Sequence, residues 1–248
     1  MSPNGHLKRI PLKKIFISIL IGSTLAVSCT KEKNFPILVV AEKCIPQTDN
    51  PTGRSYSTDS VIAISYSQKH CGMIPLGNKN YWIYEDSLFN DGVFAQVKLD
   101  TLRFTSTYES LTDKLIWWES NISVGLPEKL YANDSSLFAI QNRMFTPGII
   151  DVSKSYALFA GDSLHYLTSF EDAAALGRSV KIGDSFTTKG GNFSDCILFE
   201  KNARNYRLDQ VYFKPDLGVV KYIMQKAPMG TRTIKMQQIS TLVSFHIE

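Results

Sequence analysis

The chain has 248 residues, 44% of them hydrophobic and 11% aromatic, with 27 Lys+Arg against 23 Asp+Glu. The whole basic excess lies in residues 1–28, which hold four Lys+Arg and no acid, so the rest of the chain carries 23 side chains of each sign. A balanced body lacks the surplus cations that neutralise phosphates, which argues against nucleic acid as a partner.

The first element is a leader. Lys8, Arg9, Lys13 and Lys14 precede an apolar run from Ile15 to Val27, broken only by Ser18, Gly22, Ser23 and Thr24. The run is shorter than the ~20 residues a membrane-spanning helix needs, and it fits the apolar core of a signal peptide over residues 1–28. It ends in Leu25-Ala26-Val27-Ser28-Cys29, which resembles the lipobox of bacterial lipoproteins. The resemblance implies cleavage before Cys29, a diacylglyceryl group on its thiol and an acylated amine. Ser28 matches the small residue before the cut, and Ala26 departs from the leucine the family more often has. Each buried CH₂ adds about 0.8 kcal/mol, so two or more acyl chains would hold the protein on a membrane.

Residues 29–60 read as a lipidated tether and loop. "TKEKN" (30–34) is charged, and "IPQTDNPTGRSYSTDS" (45–60) is rich in turn formers without apolar periodicity. The folded domain is expected over residues 61–248. In an oxidising envelope Cys44 and Cys71 are a candidate disulfide across this polar loop, with a reduced, buried Cys71 as the alternative. The three histidines of this part, His70, His165 and His246, show no two-Cys, two-His spacing, so no metal site is expected.

From Cys71 onward the pattern is mostly period two. "YWIYEDS" puts Trp82 and Tyr84 on one face, Tyr81 and Ile83 on the other. "VFAQVKLDTLRF", "LIWWES", "EKLYAN", "SLFAIQN", "IIDVSKSYALFA", "DCILFE", "YRLDQVYF" and "GVVKYIMQ" are strand-length segments between turn residues. The last stretch, "TRTIKMQQISTLVSFHIE", reads as one long strand or a bent pair. Many strands with short turns predict a mainly β fold, an antiparallel meander forming a sandwich or half-open barrel. One short helix is expected near 170–176, because Ser169 is a cap, Glu171 and Asp172 sit in the first turn, three alanines follow and Gly177 closes it.

Trp117 and Trp118 are the candidate ligand platform. Neighbours on a strand face opposite sides, so one of them is expected outside the main core, facing solvent, a second layer such as a covering loop, or a ligand such as a sugar. Glu119 and Glu128 are too isolated to form a glycosidase pair. "KGGN" (189–192) reads as a hairpin turn rather than a phosphate cradle, since no helix follows. The sequence points to no cofactor.

Gly161-Asp162-Ser163-Leu164 spells the nucleophile block of the GDSL esterases. Asp-Ser pairs recur at 86–87, 134–135 and 184–185, each between apolar runs, so a turn role is expected for all four. The esterases place their base in a later Asp-x-x-His. Here the only histidine downstream of His165 is His246, and position 243 is Val243. A serine without base and oxyanion donors is not an activated nucleophile, so no catalytic residue is expected.

Two stretches carry a family resemblance. "IPLGNKNYWIYEDS" (74–87), and "GGNFSDCILFE" (190–200) with "VYFKPDLGVVKY" (211–222), resemble a group of uncharacterised envelope lipoproteins of Bacteroidetes. Gly218, Val220 and Lys221 match the group's turn, while Asp216-Leu217 replaces its first Gly-Val. The resemblance implies a β-rich, envelope-attached protein, anchored through the lipid at the outer membrane, with no particular activity. The expected role is a non-enzymatic binding or scaffolding module with a protein or glycan partner, or alternatively a carbohydrate-binding lipoprotein using an exposed tryptophan.

Overall fold

The computed structural model describes residues 44–158, 161 and 163–248; Cys29 and the leader lie outside them. The strands in chain order are β1 (Ile45–Pro46), β2 (Ser55–Ser57), β3 (Val61–Ile64), β4 (His70–Cys71), β5 (Tyr81–Asn90), β6 (Val93–Ser110), β7 (Ile116–Ser120), β8 (Lys129–Ala132) and β9 (Ser136–Asn142). There follow β10 (Ile149–Ala157), β11 (Ser163–Ser169), β12 (Ala174–Lys181), β13 (Phe186–Thr188), β14 (Gly191–Phe193), β15 (Ile197–Ala203), β16 (Arg207–Lys214), β17 (Gly218–Lys226) and β18 (Lys235–His246).

The fold is mainly β and antiparallel, as the turn-spaced strands predict. Fourteen strands make one sheet, in the order β11-β12-β15-β16-β17-β18-β5-β6-β7-β8-β9-β10-β2, with β3 beside the far half of β6. The 18-residue β6 joins the halves: its first part pairs with β5 and its second with β7 and β3. The sheet does not close into a barrel. Side chains span the gap instead of a ladder: the Thr168 hydroxyl donates to Lys154 O (3.0 Å) and the Ser179 hydroxyl to Ala157 O (2.6 Å). These bonds satisfy carbonyls that an open β10 edge would otherwise leave bare.

The main core lies between the two halves. Trp82, Tyr84, Phe104, Trp118, Phe199, Phe213 and Tyr222 are fully buried there. Trp82 and Tyr84 do share a face, and their polar ends reach across the core: Trp82 Nε1 donates to Leu217 O and the Tyr84 hydroxyl to Val219 O, both at 2.8 Å. Met73, Ile74 and Leu76 close one end of the core. The connection between β7 and β8 closes its middle, with Val124 and Leu126 buried and Gly125 at φ +84°. A Cβ on Gly125 would lie 2.5 Å from Val211 Cγ2 and 2.7 Å from the Tyr222 ring, so only glycine allows this approach.

Three expectations need correcting. Residues 45–60 are not a free loop. They lie over the second face of β7–β10, where Tyr56 stacks on Trp117 with ring centres 5.8 Å apart, Gln47 Nε2 donates to Ile116 O, and Asn133 Nδ2 donates to Asp49 O. Cys44 and Cys71 are bonded to each other, which ties this segment down beside the parallel β1–β4 pair. Cys196 is free and buried in the core.

The helix near 170–176 is absent. Ser169 ends β11, Phe170 N donates to Ala173 O in a tight turn, and Ala174 opens β12. Burial then alternates from residue 174 to 179 with period two, not 3.6. Gly177 is not a helix cap but the cross-strand partner of Tyr166, whose ring a Cβ would meet at 2.3 Å. Ladders on both sides of β12 override the local helix signals.

The Asp-Ser turn reading holds in part. The 133–136 stretch is a turn, with Asn133 Oδ1 accepting from the N–H groups of Ser135 and Ser136, and 183–185 lies between β12 and β13. Asp86 and Ser87, however, sit in the middle of β5, where Asp86 faces inward and is buried.

Candidate functional site

Several strands change character along their inward faces. On β15 the inward positions read Ile197, Phe199, Lys201, Ala203; on β16 they read Phe213, Val211, Asp209, Arg207. Register aligns these switches: Lys201 opposes Asp209, Asp209 opposes Met224 on β17, and Met224 opposes Gln238 on β18. One end of the inter-sheet space is therefore dry and apolar, and the other is a polar chamber of about 400 Å³. That volume falls in the range of small-molecule sites, ~300–1,000 Å³.

The chamber is built around Lys201, whose residue is only 7% exposed. Its ammonium donates to the Ser155 hydroxyl (2.9 Å) and to Ser169 O (3.2 Å), and lies over the rings of Tyr156 (4.9 Å) and Phe170 (5.3 Å). Burial pushes its pKa down to about 8, with Asp209 opposing and Arg207 reinforcing that shift. No carboxylate pairs with it among the described residues.

Asp209 is its cross-strand partner, but both carboxylate oxygens are committed. Arg207 Nε donates to Oδ1 and Nη2 to Oδ2, each at 2.7 Å, and the Tyr222 hydroxyl donates to Oδ2 at 2.9 Å. This is the two-pronged guanidinium–carboxylate geometry that gives strong pairs. Burial works against the Arg207 charge, and its bonds to Asp209 and Tyr222 more than offset that, so its pKa is raised. The Tyr222 hydroxyl is held protonated far above its usual range, first by burial and then by Asp209. Arg207 also lies over Phe170, 4.6 Å from the ring centre. The turn replacing the expected helix thus delivers the ring that both cations share.

The outer chamber is hydrogen-bonding. Gln141, Gln238 and Lys226 line it together with the carboxylates of Glu128, Glu171 and Asp172. The Tyr206 hydroxyl donates to Asp172. Glu128, Gln141 and Glu171 also line an adjoining cavity of about 320 Å³ that includes Lys129.

The residues singled out from the sequence lie elsewhere. Trp117 and Trp118 are each 1% exposed, so neither is a surface platform. The sheet around β7 is covered on both faces: Trp118 packs in the main core, and Trp117 packs under Tyr56 and Tyr108 in a second cluster. Trp118 Nε1 donates to His70 Nδ1 (3.1 Å), and His70 Nε2 lies 2.9 Å from the Tyr66 hydroxyl. With Nδ1 accepting, the neutral ring carries its proton on Nε2 and donates it to Tyr66. Burial lowers the His70 pKa to about 4. Ser163 is exposed at the start of β11 opposite Val180, and His165 is exposed opposite Arg178.

Sequence reading missed Lys201, Arg207 and Asp209, though a signal was present. In "ILFEKNA" and "RLDQVYF" these charges fall on the same alternation phase as Phe199 and Val211, the phase that is buried. A charge in phase with the core is the informative exception to apolar interiors. In comparisons with known proteins, no family model, curated protein or solved structure matches the chain.

Proposed function

We propose that this chain is a lipid-anchored envelope protein, tethered through Cys29, whose sheet-built body binds a small polar ligand without performing chemistry on it. The anchor reading rests on the leader and the lipobox-like end of its apolar run. The binding reading rests on one observation: a buried ammonium without a carboxylate partner opens onto a chamber of ligand size. Burying such a charge is costly, and a fold that retains it gains from an occupant that offsets the cost. The carbohydrate reading through Trp117 or Trp118 is withdrawn, because both rings are filled by neighbours.

Thermal unfolding of the full-length chain against a panel of neutral, anionic and cationic small solutes tests the binding role. A ligand that binds only the folded state raises the melting temperature by mass action. The expected result is stabilisation by at least one class; no shift with any class contradicts the reading. Turnover of generic esters is the companion assay. Equal rates for the parent and Ser163→Ala agree with a non-enzymatic role, and activity that disappears in the variant overturns it. Palmitate labelling of the parent, lost in Cys29→Ser, tests the anchor.

A further inference from the structure

We propose that the chamber seats a single carboxylate between Lys201 and Arg207, on a small molecule whose other end carries hydroxyl or ammonium donors. This rests on the binding reading above and names the ligand's chemistry.

An ammonium has three N–H groups. Two of those on Lys201 go to Ser155 and Ser169, leaving one. A guanidinium has five. Arg207 spends Nε on Asp209 and the two hydrogens of Nη2 on Asp209 and Tyr222. Nη1 makes no hydrogen bond to the described residues, and Arg207 lines the chamber. Lys201 and Arg207 both lie within 5.3 Å of the centre of the Phe170 ring. Both residues also line the chamber, so a two-oxygen acceptor seated there would be offered the remaining donors of each.

Charge selects among acceptors. Lys201, Arg207 and Asp209 together leave one surplus positive charge at the inner end of the chamber. A monoanion cancels it. A phosphate dianion would overshoot beside the Asp209 carboxylate, and a neutral group would leave the ammonium uncompensated.

The outer lining selects the rest of the molecule. Glu128 and Glu171 are exposed carboxylates with no ion-pair partner among the described residues, and Asp172 stands beside them. Lys226 offsets one of these three charges, so the outer lining stays net negative; it disfavours a second anionic group and accepts hydrogen bonds from O–H or N–H donors. Gln141 and Gln238 add amides that bond either. Two kinds of molecule share this chemistry: a sugar acid, with hydroxyls at its far end, and an α-amino acid, with an ammonium.

The test is calorimetric titration of the full-length chain at neutral pH with five probes: glucuronate, serine, glucose, ethanolamine and inorganic phosphate. We expect glucuronate or serine to bind at least about tenfold more tightly than its carboxyl-free counterpart, glucose or ethanolamine, the loss typical of a charge-assisted hydrogen bond. Binding by glucuronate alone identifies the hydroxylated source, and binding by serine alone the ammonium source. In Lys201→Met the preferred acid is expected to lose the same factor, and Lys201→Gln is the second variant should the first fold poorly. The proposal is overturned if glucose or ethanolamine equals its acid, if phosphate binds more tightly than both acids, or if the lysine variants bind like the parent. In those cases the chamber still binds, and only its chemistry has been misread. Silence from all five probes overturns the carboxylate assignment, and the thermal panel then shows whether the binding reading falls with it.

Discussion

Lys201 and Asp209 are register partners on adjacent strands, yet they form no ion pair, because Arg207 and Tyr222 hold the carboxylate of Asp209. The cross-strand position that would ordinarily neutralise the lysine is filled by an aspartate already neutralised by a third residue. The surplus charge follows from this arrangement, and so does its cost to the fold.

That cost makes Lys201→Met a stabilising substitution at pH 7. Replacing a buried charge with an apolar side chain of similar volume commonly gains ~1–4 kcal/mol, and the bonds lost to Ser155 and Ser169 reduce the gain to about 2 kcal/mol. The pH dependence has a definite sign. The folded pKa is about 8, below the model-peptide value of 10.5, so between these values the unfolded chain binds the extra proton. The parent therefore gains stability relative to Lys201→Met as pH rises from 8 to 10.5, by up to about 3 kcal/mol. Urea unfolding of both proteins at pH 7 and pH 10 checks this; a gap that does not narrow contradicts it.

His70 predicts the behaviour in acid. Its folded pKa is about 4 against 6.5 in the unfolded chain, so its contribution is intact above pH 6.5 and is lost as pH falls toward 4. The loss is on the order of 3 kcal/mol, because burial penalises the charged ring. Urea midpoints measured between pH 7 and pH 4 should fall for the parent and fall less for His70→Gln.

Gly125→Ala tests the segment that closes the core beside the chamber. The new Cβ would meet Val211 and Tyr222 below 3 Å at a left-handed backbone position. Overpacking and left-handed strain together cost about 2–4 kcal/mol. A melting temperature unchanged from the parent would show that this segment does not pack against the face shared by β16 and β17.

The Cys44–Cys71 bond spans 27 residues. Chain-entropy arguments give about 3.5 kcal/mol for closing a loop of that size. Reduction should lower the urea midpoint and loosen the 45–60 segment first, seen as faster hydrogen exchange around Tyr56 and Trp117.

The sequence made the β class legible because alternation survives wherever one face of a strand is buried and the other is wet. Two of its failures have one physical reason each. Ser169 to Gly177 carries strong local helix signals, and pairing of β12 with β11 and β15 outweighs them. Residues 45–60 look like a linker because their role is to cover a surface, Trp117 and its neighbours, that exists only after β7–β10 assemble. The exposed-tryptophan reading failed with the linker reading, since Tyr56 supplies the missing cover. The candidate site stayed hidden because its residues come from seven strands and two connections, and only register brings Lys201, Asp209, Met224 and Gln238 into one row.

The most direct measurement of the uncompensated charge is the titration of lysine side chains by NMR, with the chain labelled at the lysine ε-carbon. One resonance, missing from Lys201→Met, should titrate near pH 8, below the ~10.4 of a lysine in a model peptide. A seated carboxylate should move that midpoint upward, because an anion favours the ammonium. A Lys201 resonance that titrates with the surface lysines and ignores every added acid would contradict the account.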